Sequence, residues 1–193
     1  MRFCLLVCMF ALTVTVCHCD DLPPAPPIPA GWIDDPLAEK DWDEATDKKN
    51  DAIAKEPLIE MHDQYIGPHW VSLYDRIKEL NENLNNDPVL EGYSRLILLV
   101  QPGETETLQD RFISATDAAE DALGNAELAM TRLRPLAAGD NADATAVWRL
   151  ASFALIYFGK YETELAKANP LADQIELILD SADTYRLGSG QGY

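Results

Sequence analysis

Residues 108–133, LQDRFISATDAAEDALGNAELAMTRL, decide the fold class. Leu108, Phe112, Ala115, Ala119, Ala122, Ala126, Ala129 and Leu133 recur at alternating steps of four and three, which places them on one face of an α-helix. Most of that stripe is alanine, so a neighbouring helix can approach closely, and Leu123 and Met130 on its flanks add contact. Glu104, Glu106 and Asp110 gather at the start while Arg132 and Arg134 close it, the charge order that the helix dipole favours. Pro135 and Gly139 are read as its end.

Similar patterns lie on either side. Trp70, Leu73, Ile77, Leu80 and Leu84 form a second stripe, and Leu171, Ile175, Ile178, Ala182 and Tyr185 a third. Between them, residues 143–168 form the most apolar segment: Val147, Trp148, Leu150, Ala151, Phe153, Ala154, Leu155, Ile156, Tyr157 and Phe158 leave little polar face. A helix greasy all round belongs at the centre of a bundle, and Arg149 with the modest length argues against a membrane span. Leu96 to Val100 is compatible with a strand, but it follows the helix start at Asp87-Pro88 and reads better as buried helix.

Helix starts carry a recurring mark, an Asp or Asn followed by Pro and an apolar residue: Asp35-Pro36-Leu37, Asp87-Pro88-Val89 and Asn169-Pro170-Leu171. The side-chain oxygen accepts from first-turn N–H groups, and proline at the next position lacks an N–H and has φ already set. Glu56-Pro57 and Gly67-Pro68 suggest a break or kink between Pro57 and Asn86. The expected fold is all-α, an antiparallel bundle of five or six helices forming a single domain over residues 35–187, with a disordered tail at 188–193.

The first residues read as a secretory signal: Arg2, an apolar run from Phe3 to Val16, and an exit at Cys17 and Cys19, giving a signal peptide over 1–19. Residues 20–34 follow as a Pro-rich acidic arm, in which DDLPPAPPIPA favours extended polyproline II. All four cysteines, Cys4, Cys8, Cys17 and Cys19, lie within the signal, so the processed chain would carry no thiol for a disulfide, a nucleophile or a metal. Loss of Arg2, the one charged residue before the cleavage point, takes the net charge from −18 to −19. Such charge repels nucleic acid and anionic membranes and leaves basic proteins and Ca²⁺ as electrostatic partners. No Asn-x-Ser/Thr triplet occurs.

No catalytic residue, cofactor-binding residue or metal ligand is assigned from spacing. His62 and His69 lie seven residues apart, without the His-x-x-x-His or Glu-x-x-His spacing of a helical metal site, and read as a surface or satisfied core pair. Asp41, Asp43, Glu44, Asp47 and Asp51, mixed with Lys40, Lys48 and Lys49, read as a solvated charged face. Asp140-Asn141-Ala142-Asp143 lacks the pattern of a calcium loop and reads as a cap for the next helix. No Gly-x-Ser-x-Gly, phosphate-binding glycine loop or dinucleotide fingerprint is found. Trp70 and Trp148 sit on apolar stripes as core residues, and Trp32 and Trp42 accompany the acidic first segment.

These features lead to the expectation of a secreted, non-catalytic acidic helical protein that binds an extracellular, basic protein partner, with no nucleic acid and no stable membrane insertion. A first alternative is an extracellular carrier holding a small apolar ligand around Val147–Phe158, and a second a calcium- or matrix-associated acidic protein.

Overall fold

The protein is described by a computed structural model covering residues 39–139 and 143–189. The signal peptide, the Pro-rich arm, the helix start at Asp35-Pro36, Trp32 and residues 190–193 of the tail lie outside the described residues. The helices are α1 (Glu39–Ala54), α2 (Pro57–Met61), a π-helical segment (His62–Ile66), α3 (Gly67–Glu82), α4 (Pro88–Leu98), α5 (Leu108–Ala137) and α6 (Ala144–Gly188). Among the described residues the fold is all-α, and the only β-type pairing recorded is one bridge between Val100 and Thr107.

The expected five or six helices reduce to four rods, because two expected boundaries are continuous. Helix α6 runs unbroken through Asn169-Pro170, which the sequence marks as a start. Proline here removes the amide that would bond to the carbonyl one turn back. Asn169 and Pro170 face solvent, where water can satisfy that carbonyl, while Ala168, Leu171 and Ala172 are buried and hold the helix on course. Pro135 is likewise exposed and inside α5, which continues to Ala137 instead of stopping.

The second continuous rod joins α1, α2, the π segment and α3. Around Pro57 the backbone tightens, with Lys55, Glu56, Leu58 and Ile59 each donating to the carbonyl three residues earlier. The π turn that follows is wider than an α turn. Overwinding and then underwinding cancel, so Ala45, Ala52, Ile59, Ile66, Leu73 and Leu80 stay on one stripe at steps of seven across both irregularities. The expected break is therefore a pair of compensating changes in pitch.

The long rod runs parallel to α6. Lys48 lies over the Trp148 ring, Lys55 meets Glu162 at 2.6 Å, and Arg76 donates to Asp180 at 2.7 Å and Asp183 at 2.8 Å. Helix α5 runs the other way against the rod: Glu56 pairs with Arg134, Trp70 packs edge-on against Phe112, and Tyr74 bonds Thr116 at 2.5 Å. At 45 residues, α6 is about 67 Å long and sets the length of the bundle.

Helix α4 packs against α3, α5 and α6 where α3 and α6 end and α5 begins. Asn85 and Asn86 take left-handed conformations (φ 47° and 61°) to turn the chain out of α3, a role to which Asn is suited. Asp87 then caps α4 as its sequence mark implies, accepting from the amides of Val89 at 2.8 Å and Leu90 at 3.4 Å. Tyr185 near the end of α6 donates to the same carboxylate at 3.0 Å. Although desolvation acts the other way, these donors hold the Asp87 carboxyl below the ordinary carboxylate range. The cap's contribution is thus present above the unfolded pKa near 4 and is lost as the pH falls through the depressed folded value.

Trp70, Phe112, Phe158 and Tyr161 are essentially fully buried, and every residue of the α5 stripe is buried. Burial of a side chain such as Phe112 stabilises by about 1.5–3 kcal/mol. The segment expected to be greasy all round divides its faces: Val147, Trp148, Ala151, Phe153, Ala154, Tyr157 and Phe158 are buried, Leu150 and Leu155 half-buried, and Arg149 and Ile156 exposed.

Replacing Pro170 by Ala tests the continuity of α6. In a helix interior the change should stabilise by up to about 3 kcal/mol, read as a higher urea midpoint, whereas at a true first turn proline is favoured and the midpoint should hold or fall.

Candidate functional site

The most chemically distinctive cluster sits where the π segment faces α5 and α6. His62 is buried, with Trp70 edge-on at 5.2 Å between ring centroids and Tyr161 edge-on at 5.6 Å. Its Nδ1 lies 3.3 Å from the Tyr161 hydroxyl. The other ring edge looks out: Nε2 is 4.0 Å from Glu120 Oε1, and a Cβ added to Gly67 would sit 3.6 Å from it. Gly67 also donates its amide to the His62 carbonyl, closing the π turn, so the wide turn and the glycine together give the ring its opening.

That opening is the floor of a groove of about 480 Å³ lined by Ile59, Asp63, Val71, Glu120, Leu123 and Glu127, with Gly67 and Gly124 widening it. A Cβ at Gly124 would meet nothing within 4 Å. Three carboxylates and no lysine or arginine line this groove. Two other grooves differ in charge: one of about 570 Å³ includes Arg134, and one of about 480 Å³ includes Arg111 and Lys167.

Tyr161 supports His62 from below. Burial, reinforced by the negative charge of Asp63, pushes its phenol up to about 12, so the hydroxyl stays neutral over the physiological range. Tyr74 is raised in the same direction by burial, and because Thr116 donates to the Phe112 and Ile113 carbonyls, the Tyr74 hydroxyl is the donor to Thr116.

The two histidines are not brought together into one site. His69 is exposed and 4.0 Å from Glu176 on α6, whereas His62 is a core residue with one open edge. Among the described residues no group of three or more His, Cys, Asp or Glu is close enough to hold a metal ion. On α1, Asp43, Asp47 and Asp51 are exposed and Glu44 half-buried, as a solvated face requires. Trp70 and Trp148 are buried, while Trp42 stays 38 % exposed. Asp143 caps α6 by accepting from the Thr145 amide at 2.9 Å, in line with its reading as a cap.

The groove itself is assembled from Asp63 on the rod and Glu120, Gly124 and Glu127 on α5. No sequence pattern joins these residues, and the π turn that opens the His62 ring leaves no signature beyond Gly67-Pro68. Among the described residues no helix is long and apolar enough to cross a membrane. No protein-family model matches the chain, and neither does any curated protein or solved structure.

The raised Tyr161 phenol gives an alkaline signature. The unfolded chain releases this proton near pH 10 and the folded chain near 12, so stability is complete below about 10 and falls as the pH climbs between the two. Urea midpoints measured across that window should decline in the native protein and decline less steeply in Tyr161→Phe; parallel slopes would contradict the assignment.

Proposed function

We propose that this is a secreted, non-catalytic binding protein that engages a basic extracellular protein through its acidic helical surface. The observation that carries the reading is the groove over His62, where Asp63, Glu120 and Glu127 face an opening lined by no lysine or arginine. Ile59, Val71 and Leu123 offer apolar wall for the stem of a lysine or arginine, and the carboxylates receive its charged head. A net charge of −18 over the whole chain adds long-range attraction for a cationic partner. The signal read at residues 1–19 supports placing that encounter outside the cell.

The carrier alternative draws less support. The aromatic side chains between Val147 and Phe158 are engaged in packing: Phe153 stacks on Tyr157 at 5.0 Å and Lys160 covers the Tyr157 ring at 4.4 Å. The grooves over His62, beside Arg134 and beside Lys167 are open surface features, not enclosed chambers. The calcium or matrix reading rests on charge alone.

Calorimetric titration with a short arginine-rich peptide tests the groove. Binding should weaken steeply with salt, and the triple variant Asp63→Asn, Glu120→Gln, Glu127→Gln should weaken it by about ten-fold or more. The control Asp43→Asn, Asp47→Asn, Asp51→Asn removes the same charge from the solvated face of α1. Equal losses in the two variants would show that total charge, not the groove, does the binding.

A further inference from the structure

Helix α4 is apolar on two faces and the fold uses one. Leu90, Ser94 and Ile97 are buried toward the bundle, yet Leu96 is 51 % exposed, Leu99 56 % and Val100 53 %, with Val89 also exposed. Within α4, Val89, Gly92 and Leu96 follow one another at steps of three and four, the spacing of a seam offered to a second helix, and the extended Leu99 that ends the helix continues the apolar surface. The helix is firmly held: Ser94 donates to Asn81 at 2.7 Å, and Asp87 caps its start while accepting from Tyr185. The exposed seam therefore belongs to an anchored element.

Gly92 is the informative residue. Glycine inside a helix is less favourable than alanine by about 1 kcal/mol, and a Cβ built at Gly92 would meet nothing within 4 Å. Among the described residues, none packs against this position. A missing side chain between Val89 and Leu96 leaves a notch in the seam, into which a large residue of an approaching helix can fit.

Charge selects the occupant. From Glu82 to Arg111 the chain carries Glu82, Asp87, Glu91, Glu104, Glu106 and Asp110 against Arg95 and Arg111. Both arginines already face carboxylates, Arg95 that of Glu91 and Arg111 that of Glu104 at 2.8 Å. The bridge between Val100 and Thr107 folds the Glu104–Glu106 limb back beside the apolar end of the seam, turning at Gly103 with φ 91°. The seam is thus apolar along its length, and the stretch of chain that carries it has an excess of acidic residues. A second copy of this chain would set one acidic rim against another, whereas a helix with an apolar stripe flanked by lysine or arginine satisfies both features.

We propose that the outer face of α4 is a docking seat for a basic amphipathic helix of a partner protein, with Gly92 as the notch and Leu96 as the central contact. This seat is separate from the His62 groove and shares with that reading only the basic character of the partner.

The test uses the full chain and two synthetic leucine–lysine peptides of identical composition, one with leucines at helical seam spacing and one scrambled, with affinity read by fluorescence anisotropy. The native protein should prefer the patterned peptide by about ten-fold or more. Leu96→Asp, at an exposed site, should abolish the preference, and Gly92→Leu should do so while leaving thermal stability unchanged or raised. The groove triple variant should weaken both peptides alike and keep the preference, so failure of the groove reading and failure of the seat are distinguishable. Equal binding of the two peptides by the native protein, an unaltered preference in Gly92→Leu, or a native dimer in solution that Leu96→Asp dissociates would each overturn the proposal, the last by giving the face to a second copy.

Discussion

The close approach of α5 to α6 is the constraint on which the bundle depends. Ala115, Ala119, Ala122, Ala126 and Ala129 supply the α5 side, and Ala144, Ala151, Ala154, Ala168, Ala172 and Ala182 are buried along α6. With so little side chain between them these two helices can lie near each other over most of their length. The rod formed by α1 to α3 must then fill a groove whose width varies. It contributes Ala45 and Ala52 over the half where α6 brings Trp148, Phe158 and Tyr161, and Trp70, Leu73 and Ile77 beyond it. Small opposite large along the axis is how a long, thin core reaches native density.

A single stripe must persist for that arrangement to hold, and this explains the irregular middle of the first rod. The tight turns around Pro57 would by themselves rotate every later residue off the core, sending Leu73 and Leu80 toward solvent. The π turn returns the phase. It does so by widening the helix at His62, which is why the only buried histidine among the described residues sits at this point and why its second nitrogen reaches a surface groove. The candidate site is a by-product of a register correction, fixed in place by the Tyr161 hydroxyl.

What the sequence made legible was whatever depends on local periodicity and local capping. The stripes of α3 and α5, the core placement of Trp70 and Trp148 and the caps at Asp87 and Asp143 follow from neighbours three or four residues away. The prolines misled, because Asp-Pro at Asp87-Pro88 and Asn-Pro at Asn169-Pro170 look alike in sequence and differ only in tertiary context. At Pro88 the preceding Asn85 and Asn86 have already turned the chain, whereas at Pro170 the buried Ala168 and Leu171 hold it straight. The His62 groove was not legible at all, since Asp63 and Glu127 become neighbours only when the rod and α5 pack.

The charge and the second apolar face of α4 are related through solvent exposure. Net charge of −18 raises the self-repulsion of the compact state while keeping molecules apart, so an exposed seam that would otherwise promote self-association is tolerated on this surface. Ion pairs between rods, such as Lys55–Glu162 and the two carboxylates on Arg76, use part of the scarce positive charge to set register. The arginines beside α4 are likewise committed to Glu91 and Glu104. A cationic apolar helix at that end would relieve local repulsion and cover the seam in one contact. An acidic or neutral helix could do only one of the two, and the charge pattern around α4 discriminates between them before any side chain touches.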